Sequence, residues 1–317
     1  TNFLKYHRLD SYFEEGIFNN TLIEYRGNAF HIKYENGQLS ISEIENHYYS
    51  LPQIMYVPAE RNFIAYVKSP NELKLSSDSL KEFLTEFDNA KNAMKGLVSI
   101  PINNVQLEYD EVNEILIIKG ENYKVQLTDA SSGFQSLVPV YLVSKYLSES
   151  VKDQSDNKES MSNDEKKRFK NGVEQIYSNN NLTEEQKRVA ISVLSSKFNK
   201  TSFINIVEEP EQNLFPASQW ELLKKLVEFN NMSKSNQLII TTHSPYIINY
   251  MSIAVQANFL KEKINDNESL LQRLEKIVPL KSTIASSDLS IYQLDEKDGI
   301  IRKLNDYQGI PSDNNYL

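Results

Sequence analysis

Three acids crowd into four positions at Glu208-Glu209-Pro210-Glu211, and a histidine follows at Thr242-His243-Ser244-Pro245. Carboxylates placed together can hold a divalent cation through water, and one of them can take a proton from an attacking water. An imidazole beside them can hydrogen-bond a terminal phosphate. These residue types suit phosphoryl transfer to water. A second cluster lies upstream, at Ser131-Ser132-Gly133-Phe134-Gln135, where a serine and a glycine opening a helix offer a hydroxyl and main-chain N–H groups to an anion. A third, Tyr56-Val57-Pro58-Ala59-Glu60-Arg61, follows a short apolar run.

Those residues meet only if the elements between them bring them together. Phe203-Ile204-Asn205-Ile206-Val207 is a nearly all-apolar strand of the kind buried in a parallel sheet. The pattern then predicts an amphipathic helix with Trp220, Leu223, Leu226, Val227 and Phe229 inward, and a second apolar strand from Gln237 to Thr242. That is a βαβ unit with a right-handed crossover, and ligands of open parallel sheets gather at the carboxyl ends of the strands. Glu208, Glu209 and His243 all fall at that edge. Each cluster alone also has a plainer reading. Glu-Glu-Pro-Glu complements the dipole of a helix N-terminus, Ser244-Pro245 is an N-cap followed by proline, and Asp129 or Ser131 can cap a helix. Glu60-Arg61 can be a surface turn with a local ion pair.

The rest of the chain supplies the frame. Phe3, Leu4, Leu9, Tyr12 and Phe13 suggest a helix or packed extended arm, and residues 21–41 an antiparallel sheet with a turn at Asn36-Gly37. Ser79 to Lys95 predicts an amphipathic helix burying Leu80, Phe83, Leu84, Phe87 and Ala90, and Val105 to Leu127 alternates like strands around Gly120-Glu121-Asn122. Leu137 to Leu147 predicts a buried helix, and Ser148 to Lys166 a polar, flexible loop. That loop leads into a helical insertion whose start is capped by Thr183. Leu289 to Leu304 predicts a hairpin turning at Asp298-Gly299.

The fold expected is α/β: a core of mostly parallel strands, an antiparallel β subdomain and a helical insertion at about 148–200. The domains expected are 1–127 and 128–317. With no cysteine among 317 residues, disulfides and thiolate metal sites are excluded. No apolar run approaches the ~20 residues of a membrane span, and the net charge of −9 argues against a protein coated in basic surface for nucleic acid.

Ile204-Asn205-Ile206-Val207-Glu208-Glu209-Pro210 resembles a Walker B motif with its catalytic glutamate. Ser131-Ser132-Gly133-Phe134-Gln135 is similar to the signature motif of ABC-type ATPases, with Phe134 in place of the second glycine. Together with His243 in the switch position and a D-loop-like stretch at 211–216, these residues resemble ABC-type AAA-family ATPases of the SMC/RecF and overcoming-lysogenization kind.

The resemblance implies a P-loop NTPase core. Glu208 becomes the metal-associated acid, with glutamate in place of the commoner aspartate, and Glu209 the base. Ser131, Ser132, Gly133 and Gln135 contact ATP held by an opposite subunit. The stretch Tyr56 to Arg61 stands where the Q-loop would be, without its glutamine, and implies that Glu60 or Arg61 lies near the nucleotide site. Mg²⁺-dependent ATP hydrolysis, a head-to-tail homodimer with two composite sites, and action on DNA or an effector partner in repair or phage defence follow as expectations. A cytoplasmic, non-membrane location goes with them. A transporter subunit is disfavoured because 75 positions separate Gly133 from Glu208. Asp295, Glu296 and Asp298 read as turn residues, so no nuclease centre is expected.

One part of that machinery is missing from the pattern. A Walker A loop needs two glycines five positions apart before a lysine, and no pair among the nine glycines has that separation. The expectation is a chain lacking roughly sixty upstream residues, the size of a strand–loop–helix unit. The alternative is a catalytically inert ATPase fold kept as an interaction scaffold.

Overall fold

The computed structural model describes residues 22–27, 30–35, 38–44, 52–67, 77–157, 163–195, 200–295, 297, 299–304, 306–307 and 310–311. The expected N-terminal arm, the Asn36-Gly37 turn, Glu296 and Asp298 lie outside them. Contacts divide the chain into two compact units, Thr1–Leu51 with Gln154–Thr201, and Pro52–Asp153 with Ser202–Leu317. The stretch from Pro52 to Leu127 thus clusters with the acid-bearing residues, where a single cut after 127 was expected. The reason is strand pairing across the whole sequence, described next.

In the larger unit, β4 (Pro52–Val57), β9 (Ser202–Glu208) and β10 (Gln237–Thr241) form a wholly parallel sheet in the order β10-β9-β4. The register sets Val57 opposite Val207 and Thr241 opposite Glu208. Helix α6 (Pro216–Asn230) makes the crossover from β9 to β10. Its proline stands in the first turn, where a missing N–H costs nothing, and it buries Leu222, Leu223, Leu226, Val227 and Phe229. Trp220, expected inward, is partly buried and stacks on Tyr250 of α7 (Pro245–Lys263) at 5.1 Å.

Helix α3 (Ser132–Asn157) runs through the centre of the core, with Leu137, Val138, Val140 and Val143 wholly buried. Helix α2 (Asp78–Asn92) is capped by the Ser77 hydroxyl and buries the five expected residues, Leu80, Phe83, Leu84, Phe87 and Ala90. An antiparallel sheet of β5 (Val98–Ser99), β6 (Gln106–Asp110), β7 (Ile115–Lys119) and β8 (Lys124–Gln126) completes this side. Leu107, Leu116 and Ile118 project from it into the core. Hairpin β11 (Tyr292–Leu294) and β12 (Ile301–Lys303) turns through Gly299 at φ +68°, a conformation that suits glycine.

The smaller unit holds the antiparallel sheet β1 (Ile23–Arg26), β2 (Phe30–Glu35) and β3 (Gln38–Glu43). It also holds helices α4 (Asn163–Ser178) and α5 (Glu184–Ser195). Helix α5 opens with a reciprocal cap: the Thr183 hydroxyl accepts from Gln186 N, and the Gln186 side chain accepts from Thr183 N.

One expectation is corrected here. Residues 148–157 are not a flexible loop but the continuation of α3, and residues 163–166 already belong to α4. Polar composition misled because sparse burial, at Ser148 and Val151, is what this stretch shows. The buried Ser148 hydroxyl donates back to Lys145 O.

Candidate active site

Parallel pairing decides which ends meet. Because Thr241 stands opposite Glu208, the chain leaves β9 at Glu209 and leaves β10 at Thr242-His243 side by side. Glu209 N donates to Thr241 O at 2.8 Å, closing that corner. Glu211 closes it again from its side chain: its Oε1 accepts from the Thr242 hydroxyl at 2.7 Å and from His243 N at 2.9 Å. The two acids and the histidine therefore occupy adjacent, hydrogen-bonded loops. His243 is exposed, and Glu208 and Glu209 are half-buried.

Glu209 carries a further mark. Its φ is +40°, a left-handed backbone for a residue with a Cβ, which costs about 1–2 kcal/mol. Hydrogen bonds on both sides hold it there, from its own N–H to Thr241 O and from Arg61 Nη2 to its carbonyl at 2.7 Å. Glu208 is oriented as well, with Oε2 accepting from Ala59 N at 3.1 Å. The loop after β4 thus reaches the acid turn through its backbone.

Arg61, expected near the site, packs against the acid turn with 0% of its surface exposed. Nε donates to Ser136 O, Nη1 to Pro58 O and Glu208 O, and Nη2 to Glu209 O. Burial lowers its pKa to about 10, while the nearby carboxylates of Glu211, Glu209 and Glu208 push the other way. It is a cation at neutral pH. Glu60 is exposed at the start of α1 (Arg61–Tyr66) and its side chain caps nothing there.

Ser131 and Ser132 are exposed at the start of α3, and Gly133 is half-buried behind them. A Cβ on Gly133 would meet Asn213 O at 3.1 Å and Leu214 Cδ2 at 3.7 Å. Glycine is thus what lets the helix start approach the turn after the acids so closely. Gln135 is buried, and its amide donates to the carbonyls of Thr128 and Leu127. It braces the loop before the helix.

A family model described as AAA ATPase domain matches residues 40–248. The chain belongs to that family. The match spans the acid turn, the histidine loop and the start of α3, and it makes this a nucleotide-dependent ATPase domain at the level of the family. A search of curated proteins returned no match.

Within the ATPase domain, three residues that sequence reasoning did not name as site residues hold the site together. Glu211 latches the two loops. Asn213, in a left-handed conformation at φ +58° that asparagine tolerates, donates from Nδ2 to the Ser136 hydroxyl at 2.9 Å. Ser136, fully buried one turn into α3, takes that bond on its side chain and the Arg61 bond on its carbonyl. The early signals were Glu211 as a third acid and the D-loop-like stretch at 211–216, which holds Glu211 and Asn213; nothing in the sequence pointed to Ser136.

The donor set also bears on magnesium. Among the described residues no group of three or more His, Cys, Asp and Glu could hold a metal ion. Magnesium in nucleotide sites is held largely by phosphates and water with one or two carboxylates. One oriented acid, Glu208, fits that mode. Among the described residues, no helix is long and apolar enough to cross a membrane.

Proposed function

We propose that this chain is the hydrolytic half of an ABC/SMC-like ATPase switch that converts ATP and water to ADP and phosphate. The observation that carries the reading is the register of β9 with β10, which delivers two carboxylates and a histidine to one sheet edge. Glu209 takes the proton of the attacking water. Glu208 would hold Mg²⁺, which supplies charge neutralisation on the phosphates. His243 donates a hydrogen bond to the terminal phosphate.

Ser131, Ser132 and Gly133 face the nucleotide of a second copy, so the working unit is a head-to-tail homodimer with composite sites. Phe215, left 77% exposed just after the turn that touches Gly133, supports a partner surface there. The output is action on DNA or on an effector protein, of the repair or phage-defence type, in the cytoplasm. No pair of glycines in these 317 residues has the Walker A spacing, so the reading requires a phosphate-binding loop that these residues do not supply.

The deciding experiment is ATP binding and turnover by this chain and by the same chain extended upstream, each with Glu209→Gln. Loss of a general base costs about 10²–10⁴-fold in rate, so the variant should stop turnover, keep nucleotide and accumulate dimers. Turnover indifferent to Glu209, or partner binding indifferent to both Glu209 and His243, would instead mark a scaffold. DNA binding that strengthens with ATP and weakens with salt would identify the effector as nucleic acid.

A further inference from the structure

We infer that Arg61 is a positioning residue that couples the backbone of Glu209 to the helix presenting Ser132 and Gly133. The inference rests on the reading of Glu209 as the base. A buried arginine ordinarily neutralises its charge against a carboxylate. Here the guanidinium donates to four main-chain carbonyls, and these come from three separate segments. Pro58 belongs to the loop after β4, Ser136 to the first turns of α3, and Glu208 and Glu209 to the acid turn. The planar fork fixes the directions of these bonds relative to one another. A displacement of Ser136 therefore reorients the group that holds the Glu209 carbonyl.

The strained residue is the one so held. Glu209 stays left-handed between Thr241 O on its amide side and Arg61 Nη2 on its carbonyl side. Removing the second restraint lets the peptide relax and swings the side chain away from its present direction. Ser136 lies one helical turn after Ser132, so an anion gripped at the helix start acts one turn from the arginine. The Asn213–Ser136 bond runs beside this link and joins the same helix to the same turn from the other side. An anion bound at Ser132 and Gly133 thus sets the orientation of the base on its own chain.

Arg61→Lys and Arg61→Gln in the full chain test this, read by amide hydrogen exchange and, wherever turnover exists, by steady-state kinetics. Lysine keeps the charge but presents its donors from one atom and cannot span three segments. Exchange at the amides of Glu209 and Gln212 should accelerate about tenfold to hundredfold, the equilibrium worth of one hydrogen bond from a charged donor. The amides of Ile204 to Val207 should change by less than about twofold. The kcat for ATP should fall about tenfold or more with KM shifted less than about threefold, the mark of a lost positioning contact.

Unchanged exchange at Glu209 and Gln212 in both variants overturns the inference. So does loss of protection throughout the sheet in both, since Arg61 would then be holding the fold and not the turn. If exchange changes as expected while no form of the chain hydrolyses ATP, the coupling stands and the ATPase reading fails. The two are thereby separable.

Discussion

Asn205 offers the sharpest test of how this core is built, because it is a polar residue in the middle of the buried strand that carries the acids. It is 4% exposed, its Nδ2 donates to the hydroxyl of Ser144 on α3 at 2.9 Å, and its Oδ1 is buried with no hydrogen-bond partner among the described residues. Ser144→Ala removes the one partner this amide has among the described residues. A buried donor left unsatisfied costs about 1–3 kcal/mol, which for a domain of this size lowers Tm by roughly 2–12 °C. Asn205→Val removes the whole amide, including the carbonyl that is already unsatisfied, and places a β-branched residue in a strand. The stranded Ser144 hydroxyl can turn back to a carbonyl of its own helix, so this variant should lie within about 1 kcal/mol of the parent.

The double variant has neither polar group and should recover most of the Ser144→Ala loss. The coupling between the sites is then about 1–3 kcal/mol in favour of the pair of substitutions. Thermal unfolding of the four proteins measures it. Additivity within about 0.5 kcal/mol would falsify the claim that an unsatisfied amide, and not packing, sets the cost.

Two further outcomes follow from polar contacts elsewhere. The Glu24 carboxyl is held below its ordinary value of 4.5 by hydrogen bonds from Arg26 first and then from His31. A carboxyl depressed in the folded state contributes stability above pH 4.5 and loses it as pH falls through the lowered value; exposure keeps the contribution small. An NMR titration should place its midpoint under 4.5 and move it upward in Arg26→Ala; a midpoint indifferent to Arg26 refutes the assignment. Glu211→Ala should free the His243 amide, raising its hydrogen exchange about tenfold. Glu211→Gln, which keeps an acceptor oxygen, should stay within about threefold of the parent, and equal effects from both would mean that the latch is not the Oε1 contact.

Much of the frame was legible in the residues alone. The apolar spacing of α2 named its five buried side chains, and the run from Phe203 to Val207 with the helix after it named a parallel βαβ unit. Those signals are local: period, capping and turn chemistry act within a turn or two of the chain, so the chain states them directly. The extension of α3 through 148–157 was hidden because its residues are polar and only sparse contacts such as Val151 hold that stretch in place.

Arg61 shows where local reading ends. An arginine in a short loop reads as solvated, yet this one is enclosed because carbonyls 75, 147 and 148 positions away converge on it. Glu211 likewise read as one acid among three until Thr242 and His243 arrived beside it. The sequence by itself determined which residue types were available for phosphoryl transfer and which strand ends would carry them. Tertiary structure alone decided which of them face outward and which hold the others in place. Satisfying a buried donor depends on segments distant in the chain, and no pattern within one segment encodes where those segments will be.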